Sequence, residues 1–315
     1  MEFKKFSSIE NHYQAKFIDL FIARKPSLIN MKYYIEEKIH GANFQLAISE
    51  NDVEFGRRTG FITDDDKFYN SRTVIERDDC KDLIDKVQSK AGDSTVIIYG
   101  ELCGLGVQKE VYYFDQQEFL VFDISIDGEY LSPKDVRVFM SEIGHSDKMV
   151  PLLAIVDSLV EALEFNVIFD SRVSLKEDNR AEGVVIKPEE PTFRGDGKRF
   201  VIKKKNPKFK ENEDGRVKKP KTTFEPSPLQ LAFSGYVNAN RVSAVMSKQG
   251  EIENASQIGQ YIKYVFEDAI EDFQKENEEY SDMCKDQRRE CNKMMGKLTA
   301  PLIKDYLLSG YDGLK

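Results

Sequence analysis

Lys38-Ile39-His40-Gly41-Ala42-Asn43 sets a primary amine, an imidazole and an amide around a glycine that lets the backbone approach a ligand closely. A lysine so placed is suited to nucleophilic attack on a phosphate, provided it loses its proton. Its reference pKa of about 10.4 falls when the amine is partly buried or set beside a metal ion or other lysines. With three histidines and 19 glycines in 315 residues, chance supplies a K-x-H-G on the order of 0.02 times per chain. The bland alternative is a surface lysine beside a structural turn.

Other stretches could serve the same chemistry. In Phe200-Val201-Ile202-Lys203-Lys204-Lys205, period-two geometry puts Lys203 and Lys205 on one face with Val201 and turns Lys204 away. Two lysines there can clamp one phosphate, although a charged edge strand guarded against aggregation reads the same way. Glu182 precedes the apolar run Gly183-Val184-Val185-Ile186 and offers hard oxygens suited to Mg²⁺ or Mn²⁺ bridging to phosphates, or it is a simple turn acid. Glu101 closes the apolar run Thr95 to Tyr99 and is suited to accept hydrogen bonds from ribose hydroxyls. Phe122 could lie flat on a purine, though core is the commoner fate of a strand aromatic. Arg58, in Gly56-Arg57-Arg58-Thr59-Gly60, could meet a phosphate or be an ordinary hairpin arginine.

The elements that must position these residues are short. Met31 to Glu37, Phe44 to Ser49, Thr95 to Tyr99, Phe119 to Ile124, Gly183 to Lys187 and Phe200 to Lys205 read as strands. Val74, Cys80, Leu83, Ile84 and Val87 recur at helical spacing, and Ser132-Pro133 with Gly144 brackets another helix. This is an α+β pattern over 1–213. Gly, Pro, Lys and Thr without periodicity mark a linker at 214–228, and 229–315 reads as all helical in three stretches, from Leu229, Ala255 and about Ser281.

Composition limits the function classes. A net charge of −9 argues against uniform coating of nucleic acid, yet residues 198–221 hold eleven Lys or Arg against three acids, as a localised polyanion site or a solvated tether would. No apolar run is long enough for a membrane span, and four scattered cysteines suggest free thiols in a reducing, cytoplasmic setting without a targeting segment.

Taken in chain order, these stretches resemble the motifs of the covalent nucleotidyltransferase superfamily of DNA ligases, RNA ligases and capping enzymes. Lys38-Ile39-His40-Gly41 resembles motif I, Arg57-Arg58-Thr59-Gly60 motif Ia and Gly100-Glu101 motif III. Phe119 to Asp123 resembles motif IIIa, Glu182 to Lys187 motif IV and Ile202 to Lys205 motif V. The K-x-H-G-x-N form, the opening Phe3 to Tyr13 and the segment Tyr236 to Val242 resemble the T4 RNA ligase 2 family, which includes kinetoplastid RNA-editing ligases.

The resemblance implies an ATP-grasp-like adenylyltransferase domain of antiparallel sheets with flanking helices, followed by a helical domain. It implies a monomeric ATP-dependent RNA ligase, using Mg²⁺ or Mn²⁺, that seals 3′-hydroxyl and 5′-phosphate RNA ends, nicks in duplex RNA above all. Lys38 would carry AMP; His40 and Asn43 would organise the phosphate end, and Lys203 and Lys205 would grip the AMP phosphate. Glu37 would belong to the nucleotide site, Glu101 would hold the ribose, Phe122 would stack on adenine and Glu182 would hold the metal. Arg58 would serve the RNA-dependent steps and Arg241 would engage RNA. The chain departs from the family at Glu36, where the phage protein has a basic residue. A capping enzyme would normally add a β-barrel after the catalytic domain, and a non-catalytic RNA-binding module would be expected to lose Lys38, Glu182 or Lys203 first.

Overall fold

Alternation of apolar and polar residues resolves into eleven strands among the described residues: β1 (Glu10–Asn11), β2 (Tyr33–Glu37), β3 (Ala42–Ile48), β4 (Val53–Arg57), β5 (Gly60–Phe61), β6 (Val96–Gly104), β7 (Gln117–Ile126), β8 (Glu129–Tyr130), β9 (Leu152–Val156), β10 (Gly183–Pro188) and β11 (Ile202–Lys205). These come from a computed structural model describing residues 1–63, 65–174, 176–210, 226–252 and 254–309. One sheet has the order β1-β11-β10-β2-β9, the other β5-β4-β3-β6-β7-β8. Every pairing is antiparallel, as expected, except β1 with β11, which run parallel. A parallel pair needs a long crossover, and here nearly the whole unit lies between its two strands.

The strands are anchored by helices α1 (Ala15–Ile22), α2 (Arg72–Ile75), α3 (Asp78–Ala91), α4 (Pro133–Glu142) and α5 (Leu159–Glu164). Phe44, Leu46, Ile98, Leu102 and Val121 of the six-stranded sheet share a core with Leu83 and Val87 of α3 and Val136 and Met140 of α4. Tyr33, Ile35, Val184, Ile186 and Ile202 of the five-stranded sheet pack on Phe17 and Phe21 of α1 and on Leu159 of α5. Because side chains alternate along a strand, the residues between these apolar positions face the other way. They include Asn43 and Gln45 of β3, Glu101 of β6, Glu36 of β2, Lys187 of β10, and Lys203 and Lys205 of β11. The helix read at Ser132-Pro133 forms with its expected cap: Ser132 Oγ accepts the Asp135 N–H at 3.1 Å.

The chain divides into two compact units, Met1–Lys208 and Phe209–Lys315. The linker expected at 214–228 lies outside the described residues through 225, and Pro228 opens a helix. The second unit consists of α6 (Pro228–Ser234), α7 (Ala239–Gln249), α8 (Ile258–Glu276), α9 (Glu278–Ser281) and α10 (Lys285–Ser309) around Phe233, Val242, Val265, Phe273 and Met295. The helix expected from Leu229 to Ser247 is two helices. Asn238 breaks it by accepting the Arg241 N–H at 3.0 Å, which satisfies a donor that α7 would otherwise leave orphaned. Among the described residues no helix is long and apolar enough to cross a membrane.

Candidate active site

Lys38 leaves the end of β2, and its main-chain N–H donates to Gly183 O at 2.9 Å, extending the β2–β10 pairing by one step. That bond brings Lys38 beside Glu182, the residue before β10. Gly183 makes the approach of β10 to β11 feasible: its φ is +148°, and a Cβ would stand 2.2 Å from Lys204 O. Gly41 plays a similar part, since a Cβ there would stand 2.2 Å from Leu102 O. Its bare backbone makes room for β6.

Two lysine amines and an imidazole converge on the Glu182 carboxylate, which is 2% exposed. Lys38 Nζ lies 2.7 Å from Oε2 and His40 Nδ1 3.3 Å from the same oxygen, while Lys205 Nζ lies 2.8 Å from Oε1. Burial alone would favour the protonated acid, but Lys205, Lys38 and His40 overcome it and hold this carboxyl well below the usual range. His40 is held from both sides, with Nε2 3.0 Å from Glu110 and its main-chain N–H donating to Tyr113 Oη at 2.7 Å. Burial disfavours a charged imidazole, yet the Glu110 and Glu182 carboxylates raise its pKa on balance. The β11 lysines divide as period two requires: Lys204 Nζ donates to Leu163 O and Phe165 O at 2.6 and 2.9 Å on the α5 side, while Lys205 faces Glu182.

Residues 31–205, which contain this whole cluster, match the RNA ligase family, and residues 221–301 match the T4 RNA ligase 2 C-terminal domain. The chain belongs to the RNA ligase family, of the T4 RNA ligase 2 type. Solved structures of the Naegleria gruberi RNA ligase share its fold. A point mutant with AMP and Mn aligns at a TM-score of 0.50 and 18% identity, over 66% of this chain and 57% of that one. The same ligase with PPi aligns at 0.49 and 17%, over 66% and 57%. This chain thus spans less than two-thirds of the length of those relatives.

The remaining candidate residues of this family member are placed less uniformly. Glu101 sits within β6, not at its end, because the strand runs on to Gly104. Glu37 is buried and accepts the Arg172 main-chain N–H at 2.9 Å through Oε2, and burial raises its pKa against the Ser171 and Arg172 hydrogen bonds. Its Oε1 and the Oδ1 of Asn43 are buried polar atoms without a hydrogen-bond partner among the described residues. Phe122 lies at a bulge, since Tyr99 pairs with Asp123 and Gly100 with Val121. Its ring meets Phe6 edge-on at 5.0 Å, with Lys187 Nζ 5.7 Å from its centroid. Lys203 pairs with Asn11 and Val185 on the face that Lys205 shares. Arg58 occupies the two-residue turn between β4 and β5.

Arg241 requires a correction. It is 1% exposed, and its guanidinium is spent inside the helical unit on Asp268 (2.5 Å), Asp272 (2.9 Å) and Tyr236 O (2.7 Å). In this structure it braces α7 against α8 and presents no face to RNA. The described part of the basic stretch, residues 198–210, is likewise no single patch. Arg199 is paired with Asp123, Lys204 binds carbonyls at the end of α5, Lys203 and Lys205 turn to the opposite face, and 211–221 lie outside the described residues.

Among the described residues no group of three or more His, Cys, Asp or Glu could cage a metal ion. Glu182 offers the hard oxygen donors that Mg²⁺ and Mn²⁺ take, and in this structure Lys38 and His40 lie against its Oε2 and Lys205 against its Oε1.

Sequence reasoning missed the buried charges behind the site. Lys187 Nζ lies 2.8 Å from Glu36 and 3.5 Å from Asp123, Arg199 Nη1 lies 2.7 Å from Asp123, and Arg137 Nη2 lies 2.8 Å from Glu36. A lysine within the apolar run of β10 was the available signal, since charged residues are rarely buried unpaired.

Glu101 yields a pH-dependent prediction. Burial, reinforced by Glu182 and offset by Lys38 and His40, pushes its carboxyl up to about 7. A carboxyl raised in the folded state contributes stability below its unfolded pKa and loses it as pH rises through the folded value. Glu101→Gln should therefore melt with the parent near pH 4.5 and a few degrees above it at pH 8. Equal melting at both pH values would show that Glu101 ionises normally.

Proposed function

We propose that this chain is an ATP-dependent RNA ligase in which Lys38 attacks the α-phosphate of ATP. A P–N bond forms to Nζ, the bond to pyrophosphate breaks, and the lysine proton leaves to solvent. The AMP then passes to an RNA 5′-phosphate, and an RNA 3′-hydroxyl displaces it to close the strand. A nick in duplex RNA sealed by a monomer is the substrate arrangement that the T4 RNA ligase 2 type favours. The observation that carries the reading is the convergence of Lys38, Lys205 and His40 within 3.3 Å of one carboxylate. A cluster that already gathers two lysines and a histidine around a carboxylate can accept a phosphate in the same field.

In this reading Lys203 and Lys205 grip the α-phosphate, and His40, fixed by Glu110 and Tyr113, holds the phosphate end with Asn43. Glu37 and Phe122 bind the base, Glu101 the ribose, and Arg58 contributes once RNA is bound. A divalent cation held by Glu182 would neutralise phosphate charge. The AMP, PPi and Mn named for the Naegleria structures are the species this chemistry handles.

The test is incubation with α-³²P-ATP or α-³²P-GTP and Mg²⁺, then denaturing electrophoresis with acid treatment. Acid-labile label from ATP alone is expected, followed by sealing of nicked RNA duplexes. Label from GTP would point to capping, against which a second unit built from helices throughout its described elements speaks, and no label from either would leave a binding module.

A further inference from the structure

Lys285, Arg289, Lys293 and Lys297 recur every fourth residue along α10. Residues four apart share a helix face, so the side chains form one slowly winding stripe about 18 Å long at 1.5 Å per residue. All four are exposed. None of their side chains has an ion pair, hydrogen bond or ring contact among the described residues. Lys304, further along, is also exposed and unpaired.

The stripe differs from the rest of its unit. On α8, Lys263 pairs with Glu267 at 3.8 Å and Lys275 with Glu271 at 3.1 Å, and Lys248 and Arg241 are both taken up by Asp268. α10 holds six basic residues against three acids in a chain of net charge −9, and its acids Asp286 and Glu290 leave the stripe unneutralised. Lys285, Arg288 and Arg289 line a shallow depression with Asp286 and Asn292. An acidic protein that leaves one row of cations unpaired directs attraction for a polyanion to that row.

We propose that this stripe is a phosphate-backbone contact for duplex RNA, made of residues other than those of the nucleotide site. The choice of RNA among polyanions rests on the ligase reading. At one phosphate per about 3.4 Å of strand, a row of this length spans several phosphates, and such contacts hold RNA without selecting its sequence.

The test is the K285Q/R289Q/K293Q/K297Q protein, checked for native circular dichroism, against the parent and against K285R/K293R/K297R, which keeps every charge. Nicked RNA duplex affinity is measured between 50 and 200 mM salt, and adduct formation is measured without RNA. The expected result is unchanged adduct formation, with a salt slope shallower by about 2 to 4 and weaker duplex binding, both restored in the arginine variant. An unchanged slope and affinity would overturn the stripe while leaving the ligase reading intact. A parent that forms no adduct, yet loses duplex affinity on neutralisation, would overturn the ligase reading and retain the stripe. Should the fourfold variant misfold, the four single substitutions carry the same comparison at about one unit of slope each.

Discussion

Lys38→Ala is expected to take up no covalent label from α-³²P-ATP, while its melting temperature stays within a few degrees of the parent. The two halves of that result have separate physical origins. Nucleophilic attack needs an amine lone pair at this position, and methyl offers none. Folding depends on groups the substitution leaves in place: the main-chain bond to Gly183 O at 2.9 Å persists, and Glu182 keeps Lys205 at 2.8 Å and His40 at 3.3 Å as counter-charges. Lys38→Arg sharpens the test, because it keeps a cation beside Glu182 but replaces the amine with a guanidinium that stays protonated. Label in both variants would move the nucleophile to another amine, with Lys205 the nearest in this cluster.

Asp123→Ala should cost about 3 to 5 kcal/mol of stability, read from the denaturant midpoint of the first unit. Asp123 is 1% exposed and bridges β7 to two cations, Arg199 at 2.7 Å and Lys187 at 3.5 Å, which are themselves almost wholly buried. Among the described residues, removing it leaves Glu36 as the carboxylate beside both Lys187 and Arg137, and the Arg199 side chain keeps a cation–π contact with Tyr130 at 4.2 Å. A buried charge stripped of its partner costs far more than the pair contributes when intact. Asp123→Ala combined with Arg199→Met should accordingly lose less than the sum of the two single changes. A cost below about 1 kcal/mol would mean that water reaches this network.

Local rules made much of this legible. Period two assigned Lys203 and Lys205 to one face and Lys204 to the other, and the structure places them so. The cap at Ser132 was readable because it needs only neighbours within four residues. What failed was whatever depended on partners far along the chain. Glu36 registered only as a departure from the family, but it holds Lys187 and Arg137 across more than a hundred residues of sequence. Glu110, behind His40, lies in a loop that offers no periodicity. Arg241 was expected to engage RNA because it falls in the segment that resembles the family's helical domain; Asp268 and Asp272, each an ordinary helix acid on its own, make it interior. The bulge at Phe122 was hidden for the same reason, since register is a property of two strands and one sequence displays only one at a time.

The parallel pairing of Glu10 with Ile202 and Asn11 with Lys203 bears on how the molecule is made. A ribosome delivers β1 first and β11 last of all the strands, so β1 has no partner until nearly the whole first unit has emerged. Lys38 leaves the tunnel well before Glu182 and Lys205, and until then the lysine has neither its carboxylate nor its companion amine. Contacts so distant in sequence close slowly. The nascent chain must therefore carry β1 unpaired through most of translation, and the cluster around Glu182 closes only when the last strand arrives.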